Sequence, residues 1–389
     1  MRKIQILPPH LAQDPRPPAE IKIVVGLSGG VDSSVAALLL KNQGYQVIGL
    51  FMKNWEEESP YCQAAADFED VSHVCQKIGI PYYSLNLSKE YWDRVFVQFL
   101  EGIKAGRTPN PDILCNREIK FQVFLEKAKL LGADYLATGH YAQVGPQLQL
   151  LKGLDPQKDQ SYFLYTLSEQ ILSQVLFPIG HLPKQQVRAL AREFGLSTHN
   201  KKDSTGICFI GERPFSEFLG QYIQAQKGPF QRLNGEIVGE HRGMAFYTLG
   251  QRKGLGLGGA GEAWFVVAKD PLNNIVYVER GKDHGALYVD ELWVRECSWV
   301  SAPPSSHLSC KAKIRYRQQD QECEIREETL SATGEKLLHV VFKHPQRAAT
   351  PEQSIVFYQG DVCLGGGLIA ELGANYRQMG KVPLPEESL

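Results

Sequence analysis

The sequence predicts a doubly wound parallel α/β domain, followed by a small linking domain and a C-terminal β-barrel. Three observations carry this. From Ile21 to Gly139, four apolar strand-like runs alternate with helical patterns, as in a parallel sheet with helices on both faces. After about residue 213 the texture changes to short alternating runs separated by turn signals, as in small β-barrels. Between the first strand and first helix, Ile21–Ser34 reads IKIVVGLSGGVDSS. That stretch is an apolar run, a glycine turn and a helix start, the local form of an anion-binding turn.

Met1–Glu20 is rich in proline and reads as a loose leader. Ile21–Val25 is a buried strand, and Ser28-Gly29-Gly30 is a turn whose glycines reach backbone conformations closed to other residues. Asp32, Ser33 and Ser34 start a helix that Val35–Leu40 carries on. Tyr45–Met52 is a second strand, and Cys62–Ile78 a helix with Ala64, Phe68, Val71 and Val74 at helical spacing. Tyr82–Leu87 is a third strand and Ser88–Lys104 a helix. In Gly106–Cys115 (GRTPNPDILC) two X-Pro steps predict a stiff extended loop, not a helix. Asn116–Leu131 is a helix ending at Gly132, and Asp134–Gly139 a fourth strand.

Lys158–Leu164 and Lys201–Gly211 read as polar loops, with helices at Gln170–Leu176 and Lys184–Phe194. The short helix Phe215–Gln224 leads into strands at Ala263–Ala268, Asn274–Val278, Leu287–Val294, Ser309–Tyr316, Glu322–Arg326, Lys336–Phe342, Ser354–Tyr358 and Leu364–Glu371. Gly250–Gly261 reads as a flexible loop with two cations. The expected division is a leader at 1–20, a catalytic domain at 21–213, a central domain at 214–284, a barrel at 285–378 and a tail at 379–389.

Composition narrows the function classes. Forty-two basic residues balance 43 acidic ones in 389, so no global field advertises nucleic acid, although a local basic patch is compatible with that balance. No apolar stretch approaches the ~20 residues that span a bilayer, and the leader lacks a signal-peptide core; no membrane partner and a cytoplasmic location are expected. The eight cysteines contain no C-x-x-C pair, so no permanent metal or cluster is expected. Cys62, Cys75, Cys297, Cys310, Cys323 and Cys363 read as buried apolar residues. Cys115 and Cys208 differ, because they fall on polar Gly- or Pro-bearing loops.

Ligands of such sheets bind beyond the carboxyl ends of the strands. One rim therefore carries the turn at 28–34, Met52–Asn54 and Gly139-His140. A Walker loop would need Lys-[Ser/Thr] after the glycines, and a dinucleotide fingerprint a third spaced glycine; both are missing. SGGVDSS instead resembles the PP-loop of the ATP pyrophosphatases, which split ATP to AMP and pyrophosphate. The resemblance makes Gly26, Leu27, Ser28, Gly29, Gly30, Val31, Asp32 and Ser33 nucleotide-binding, with Asp32 orienting a magnesium-bound pyrophosphate and Met52 and Gly139 flanking adenine and ribose.

Five further stretches sharpen this: FMKNW at 51–55, NPDILCN at 110–116, TGHYA at 138–142, KDQSYFL at 158–164 and DSTGICFIG at 203–211. Together with the turn they resemble the tRNA-specific 2-thiouridylase family, from Ile21 to about Glu371. The resemblance implies ATP, with Mg2+, as co-substrate, and replacement of the C2 oxygen of the wobble uridine at position 34 by sulfur. It also implies Cys208 as persulfide carrier, Cys115 as nucleophile and a Cys115–Cys208 disulfide on resolution. Asp112 would protonate or hydrogen-bond the base.

The implied partners are a tRNA anticodon stem-loop and a persulfide-donating sulfur carrier or cysteine desulfurase. Base contact falls to Asn110, Pro111 and Asp112, and tRNA contact to Lys158, Asp159, Gln160, Arg315 and Tyr316. The last two lie in an alternating cation–aromatic run read as strand, suited to phosphate contact and stacking. The helix expected from Asn116 would lower the Cys115 thiol pKa. Alternatives are an amide-forming ligase, a cytidine-modifying PP-loop enzyme, or a non-catalytic RNA-binding protein with a degenerate nucleotide site.

Overall fold

The computed structural model describes residues 9–56, 64–203, 215–304, 306–329 and 336–383. In chain order the first domain contributes β1 (Lys22–Leu27), β2 (Gln46–Lys53), β3 (Tyr82–Asn86) and β4 (Tyr135–Ala137). A hairpin of β5 (Ala142–Val144) and β6 (Leu150–Lys152) comes next, then β7 (Val175–Leu176). Five of these form one sheet in the order β3-β2-β1-β4-β7, and every pairing in it is parallel. The apolar run at 21–27 explains why β1 is central: Ile23, Val24 and Val25 have no exposed surface. Val24 faces one core with Leu50 and Leu136. Ile23 and Val25 face the other with Val47, Ala37 and Ala137. The chain steps outward from β1 to β2 and β3, then returns to the other side of β1 with β4. The carboxyl ends of β1 and β4 thus part at a topological switch point.

Several sequence expectations change here. The described part of the leader is anchored at two points, although most of residues 12–20 are exposed: Leu11 is 2% exposed, and Arg16 pairs with Asp14 and Asp134 at 2.7 Å each. Gln170–Leu176 is not one helix. It is a short helix, Glu169–Leu172, followed by edge strand β7, because Val175 and Leu176 pair with β4 and are fully buried there. The extended loop expected over Gly106–Cys115 ends early. A helical run starts at Pro111 and continues through Leu130. Its start obeys local rules: Pro111 occupies the first helical position, where no N–H is needed, and Asn110 Oδ1 accepts from Asp112 N at 3.1 Å. The X-Pro restriction acts on Asn110 (φ −108°, ψ 99°) and leaves the residues after Pro111 free to be helical.

The central domain adds β8 (Gly228–Gln231), β9 (Ile237–His241), β10 (Trp264–Asp270) and β11 (Ile275–Arg280). They form a sheet in the order β10-β11-β8-β9. The strands β8 and β9 were not expected from sequence, because their Gly-Pro start and broken alternation give no strand signal.

The last domain contains β12 (Tyr288–Trp299), β13 (His307–Lys313), β14 (Gln321–Thr329), β15 (Lys336–Arg347), β16 (Ser354–Gln359) and β17 (Val362–Leu372). Pairing runs β12-β15-β14-β13-β16-β17 and closes from β17 to β12. This six-stranded antiparallel barrel encloses Leu292, Val294, Val340, Ile355 and Phe357. Closure leaves the ring itself no free edge. The first domain's hairpin then extends the same sheet, with Leu151 opposite Val362 and Leu150 opposite Cys363. Among the described residues no helix is long and apolar enough to cross a membrane.

Candidate active site

The turn after β1 is built for an anion. Gly30 caps the helix Val31–Asn42 without any side-chain cap, so the helix presents unpaired N–H groups and its positive dipole end. Ser34 Oγ donates to the Gly30 carbonyl at 2.7 Å, and Ser28 N donates to Ser33 Oγ at 3.2 Å; the hydroxyls therefore brace the turn. Gly29 has φ +73°, and a Cβ there would meet the Asp67 carbonyl oxygen at 2.7 Å. Gly139, just past β4, is tighter still: a Cβ would meet Ser33 N at 2.6 Å and Asp32 C at 2.9 Å. Met52 lies near the end of β2, on the same carboxyl rim.

Gly139→Ala is therefore expected to push the first turn of this helix aside. Overpacking of this kind costs about 1–3 kcal/mol, and it should weaken ATP binding about tenfold or more. Urea denaturation and nucleotide titration read the two effects. Wild-type ATP affinity in this variant would remove Gly139 from the nucleotide site.

A charge network surrounds Asp32. Its carboxylate accepts from Tyr141 Oη at 2.7 Å and from Lys184 Nζ at 2.8 Å to each oxygen. Lys184 is 8% exposed, and its Nζ also lies 2.8 Å from Asp203. Asp203 receives Lys158 at 2.6 Å and Arg188 at 2.7 Å as well. Burial alone would raise the Asp203 carboxyl, but the hydrogen bonds from Lys158 and Lys184 outweigh it and hold it at about 2. Burial and the neighbouring Asp32 push the Tyr141 phenol far up, so it stays a hydrogen-bond donor. Lys158, Lys184 and Arg188 thus gather around Asp32 and Asp203 beside the helix N-terminus, where Asp155 also accepts from Lys184 N at 3.0 Å. Lys184, Arg188, Tyr141 and Asp203 were not singled out from sequence. Tyr141 and Asp203 lie inside quoted motifs, whereas Lys184 and Arg188 sit on an ordinary amphipathic helix with no local signal.

Asp112 and Cys115 share one helical run, three residues apart. Cys115 is 2% exposed and belongs to the first domain's core, not to an exposed loop. It lies one turn inside the helical run that begins at Pro111, so it does not precede that run's N-terminus as the sequence suggested. The run changes to wider π-helical turns over Cys115–Val123, a distortion frequent at functional sites. Burial raises the Asp112 carboxyl, with Lys120 opposing. Asn110, not Asp112, is the cap. His140 is buried and bonded to Thr138 Oγ1 at 2.8 Å; burial, then the charge of Lys120, drives its pKa well down and keeps it neutral.

Cys208 and Cys62 lie outside the described residues. Both flanks of 204–214 are described, however. Asp203 is tied to the Lys184 network, and Phe215 packs edge-on against Phe99, 6.3 Å between ring centres, on the helix Val97–Lys104 that leads into Gly106. Of the cysteines expected to be buried, Cys75, Cys310, Cys323 and Cys363 are, but Cys297 is exposed.

The residues expected to touch tRNA fall into one neighbourhood. Arg315 and Tyr316 are not on a strand: β13 stops at Lys313, and they form the bend and turn beyond it. The Gln318 side chain accepts from Ile314 N at 2.8 Å in place of a ladder partner. Tyr316 packs on Phe163, 4.6 Å between ring centres, so the barrel turn abuts the 158–164 segment. Asp159 is 5% exposed, and its carboxylate is taken up by Gly153 N and Ser161 N, each at 3.0 Å. It shapes the segment from within. Gln160 Oε1 accepts from Tyr141 N at 2.9 Å.

The chain resembles known proteins along most of its length. A family model described as tRNA methyl transferase HUP domain matches residues 21–212. One described as tRNA methyl transferase PRC-barrel domain matches 216–280, and an aminomethyltransferase beta-barrel domain matches 289–369. The chain is 58% identical over 372 residues to the tRNA-specific 2-thiouridylase MnmA of Protochlamydia amoebophila, covering 94% of this chain and 97% of that protein. Proteins of the same name are 56% identical in Halalkalibacterium halodurans, over 90% of this chain and 95% of that one. In Bacillus subtilis the identity is 54%, over 91% and 96%.

Proposed function

The chain belongs to the tRNA-specific 2-thiouridylase family, and from that premise we propose that it uses ATP to replace the C2 oxygen of a tRNA wobble uridine with sulfur in the cytoplasm. The observation that carries the reading is that two chemistries are neighbours within one domain. Lysine and arginine side chains surround the glycine turn, and Phe121, on the helical run that carries Asp112 and Cys115, packs on His140 just past Gly139, 5.7 Å between ring centres.

Uridine O2 attacks the α-phosphorus of ATP, and pyrophosphate leaves toward the N–H groups at Gly30 and the Lys184 ammonium. Mg2+ would arrive on the nucleotide phosphates with Asp32 as its protein carboxylate. Asp32 fits that role, because its side chain is 30% exposed and so open to an incoming ion. A persulfide on Cys208, loaded by a donor protein, supplies the sulfur. In one order its terminal sulfur attacks C2, AMP departs with the former O2, and Cys115 displaces the thiolated base from Cys208. In the other, Cys115 first displaces hydrosulfide, which then attacks C2. Both orders end in 2-thiouridine and a Cys115–Cys208 disulfide that an external thiol reduces. Asp112, its pKa raised by burial, would protonate or hydrogen-bond the uracil. Lys158, Gln160, Arg315 and Tyr316 would hold the anticodon stem-loop, with Asp159 fixing the segment. Asn110–Asp112 would face the base. Cys115 is closed from solvent, so tRNA must open this region to reach it.

The matched domain descriptions contain the words methyl transferase, and methyl transfer would need neither ATP cleavage nor a second cysteine. The test incubates the protein with ATP, unmodified wobble-uridine tRNA and a persulfide donor, and analyses the digested tRNA by mass spectrometry. The expected result is 2-thiouridine, with AMP and pyrophosphate formed only when tRNA is present. AMP release without tRNA, or a methylated product, would overturn the reading.

A further inference from the structure

The segment Gly106–Thr108 joins all three domains just ahead of the Asp112–Cys115 helix. It begins as the cap of the helix Val97–Lys104. Gly106 N donates to Ile103 O at 3.0 Å, Arg107 N donates to Gly102 O at 2.9 Å, and Gly106 has φ +74°, a Schellman ending. The central domain closes on Gly106: a Cβ there would meet Met244 Cε at 3.2 Å and Pro271 Cγ at 3.3 Å. Lys269 of β10 donates its Nζ to the Gly106 carbonyl at 3.1 Å. The barrel takes the next two residues. Glu352, held by Arg295 at 2.8 Å, lies 3.6 Å from Arg107, and the Gln353 amide donates to the Thr108 carbonyl. Pro109 then packs where a Cβ on Gly102 would meet it at 2.9 Å, and Asn110 opens the next helix.

Lys269 is the costly member of this junction. Among the described residues its ammonium has no carboxylate partner, and its one hydrogen bond goes to Gly106 O. Burial lowers its pKa to about 8. The negative end of the Val97–Lys104 helix gives partial compensation. Methionine is unbranched and of similar length, and would pack beside Met244 and Pro271 without that desolvation cost.

We propose that Lys269 is a positioning residue for sulfur transfer, holding the Gly106 carbonyl so that the central domain sets where the Asn110–Cys115 turn stands. This rests on the function proposed above and adds to it a residue outside the catalytic domain that acts on the nucleophile through the backbone. The test compares Lys269→Met and Lys269→Arg with wild type in thermal melting, KM for ATP and tRNA, and kcat for 2-thiouridine. Lys269→Met is expected to melt no lower than wild type and to keep KM for ATP, while kcat falls about tenfold. Lys269→Arg should retain most of the rate. Wild-type kcat in the methionine variant would overturn the inference. So would a lower melting temperature with a loss that arginine does not rescue, since that is the pattern of a structural residue. If wild type itself makes no 2-thiouridine, the function fails and the inference falls with it; if wild type is active and the methionine variant is unchanged, the inference fails alone.

Discussion

Cys115→Ser is expected to abolish 2-thiouridine while leaving the first round of tRNA-dependent pyrophosphate release, the adenylation step, in place. A hydroxyl cannot form the disulfide that ends the proposed cycle, and deleting a nucleophile typically costs roughly 10³-fold or more. Cys115 is 2% exposed, so a serine there buries a hydroxyl at about 1–3 kcal/mol if it finds no partner. Cys115→Ala, which adds no polar group, separates that stability effect from chemistry. Cys208→Ser should lose the labelled persulfide itself, whereas both Cys115 variants should still accept it on Cys208. Tandem mass spectrometry of the protein and of digested tRNA distinguishes these cases. Near-normal 2-thiouridine from both serine variants, with donor supplied, would eliminate the paired-cysteine mechanism.

Asp32→Ala and Lys184→Met are expected to stop the reaction one step earlier. Lys184 is the ammonium closest to Asp32, and removing one preorganised group that stabilises developing charge typically costs roughly 10²–10³-fold in rate. The fold should survive either change. In Lys184→Met, Asp203 keeps Lys158 and Arg188, and Asp32 keeps the Tyr141 hydroxyl. Neither carboxylate is then left buried without a partner. Binding of tRNA, measured by filter retention, should stay within a few-fold of wild type because these groups lie at the phosphate cradle. Both variants should fail to form AMP from ATP and tRNA, and neither should make 2-thiouridine even when Cys208 carries a persulfide. Normal AMP formation in either one would remove that residue from the adenylation step.

Features set by neighbours along the chain could be read from the sequence alone. The strand, turn and helix at Ile21–Asn42 could, because an apolar run, two glycines and a helix start act within a short stretch of chain. The burial of β1 could be read from its continuous apolar character, and most barrel strands from their alternation. The resemblance of six ordered motifs pointed to the family without any coordinate.

Features depending on what packs against a residue could not be read. The two prolines near Asn110 look like a loop until Pro111 is seen at a helix start, with Cys115 folded into the core. Val175 and Leu176 continue a helical pattern, yet the open edge of β4 makes them a strand. Arg315 and Tyr316 alternate like a strand, but β13 ends before them. Lys184 reaches Asp32 across 152 positions, and Lys269 reaches Gly106 across 163. Pairings this distant carry no local signal, because their energy comes from desolvated charges meeting only after the sheet and the domain junction have formed.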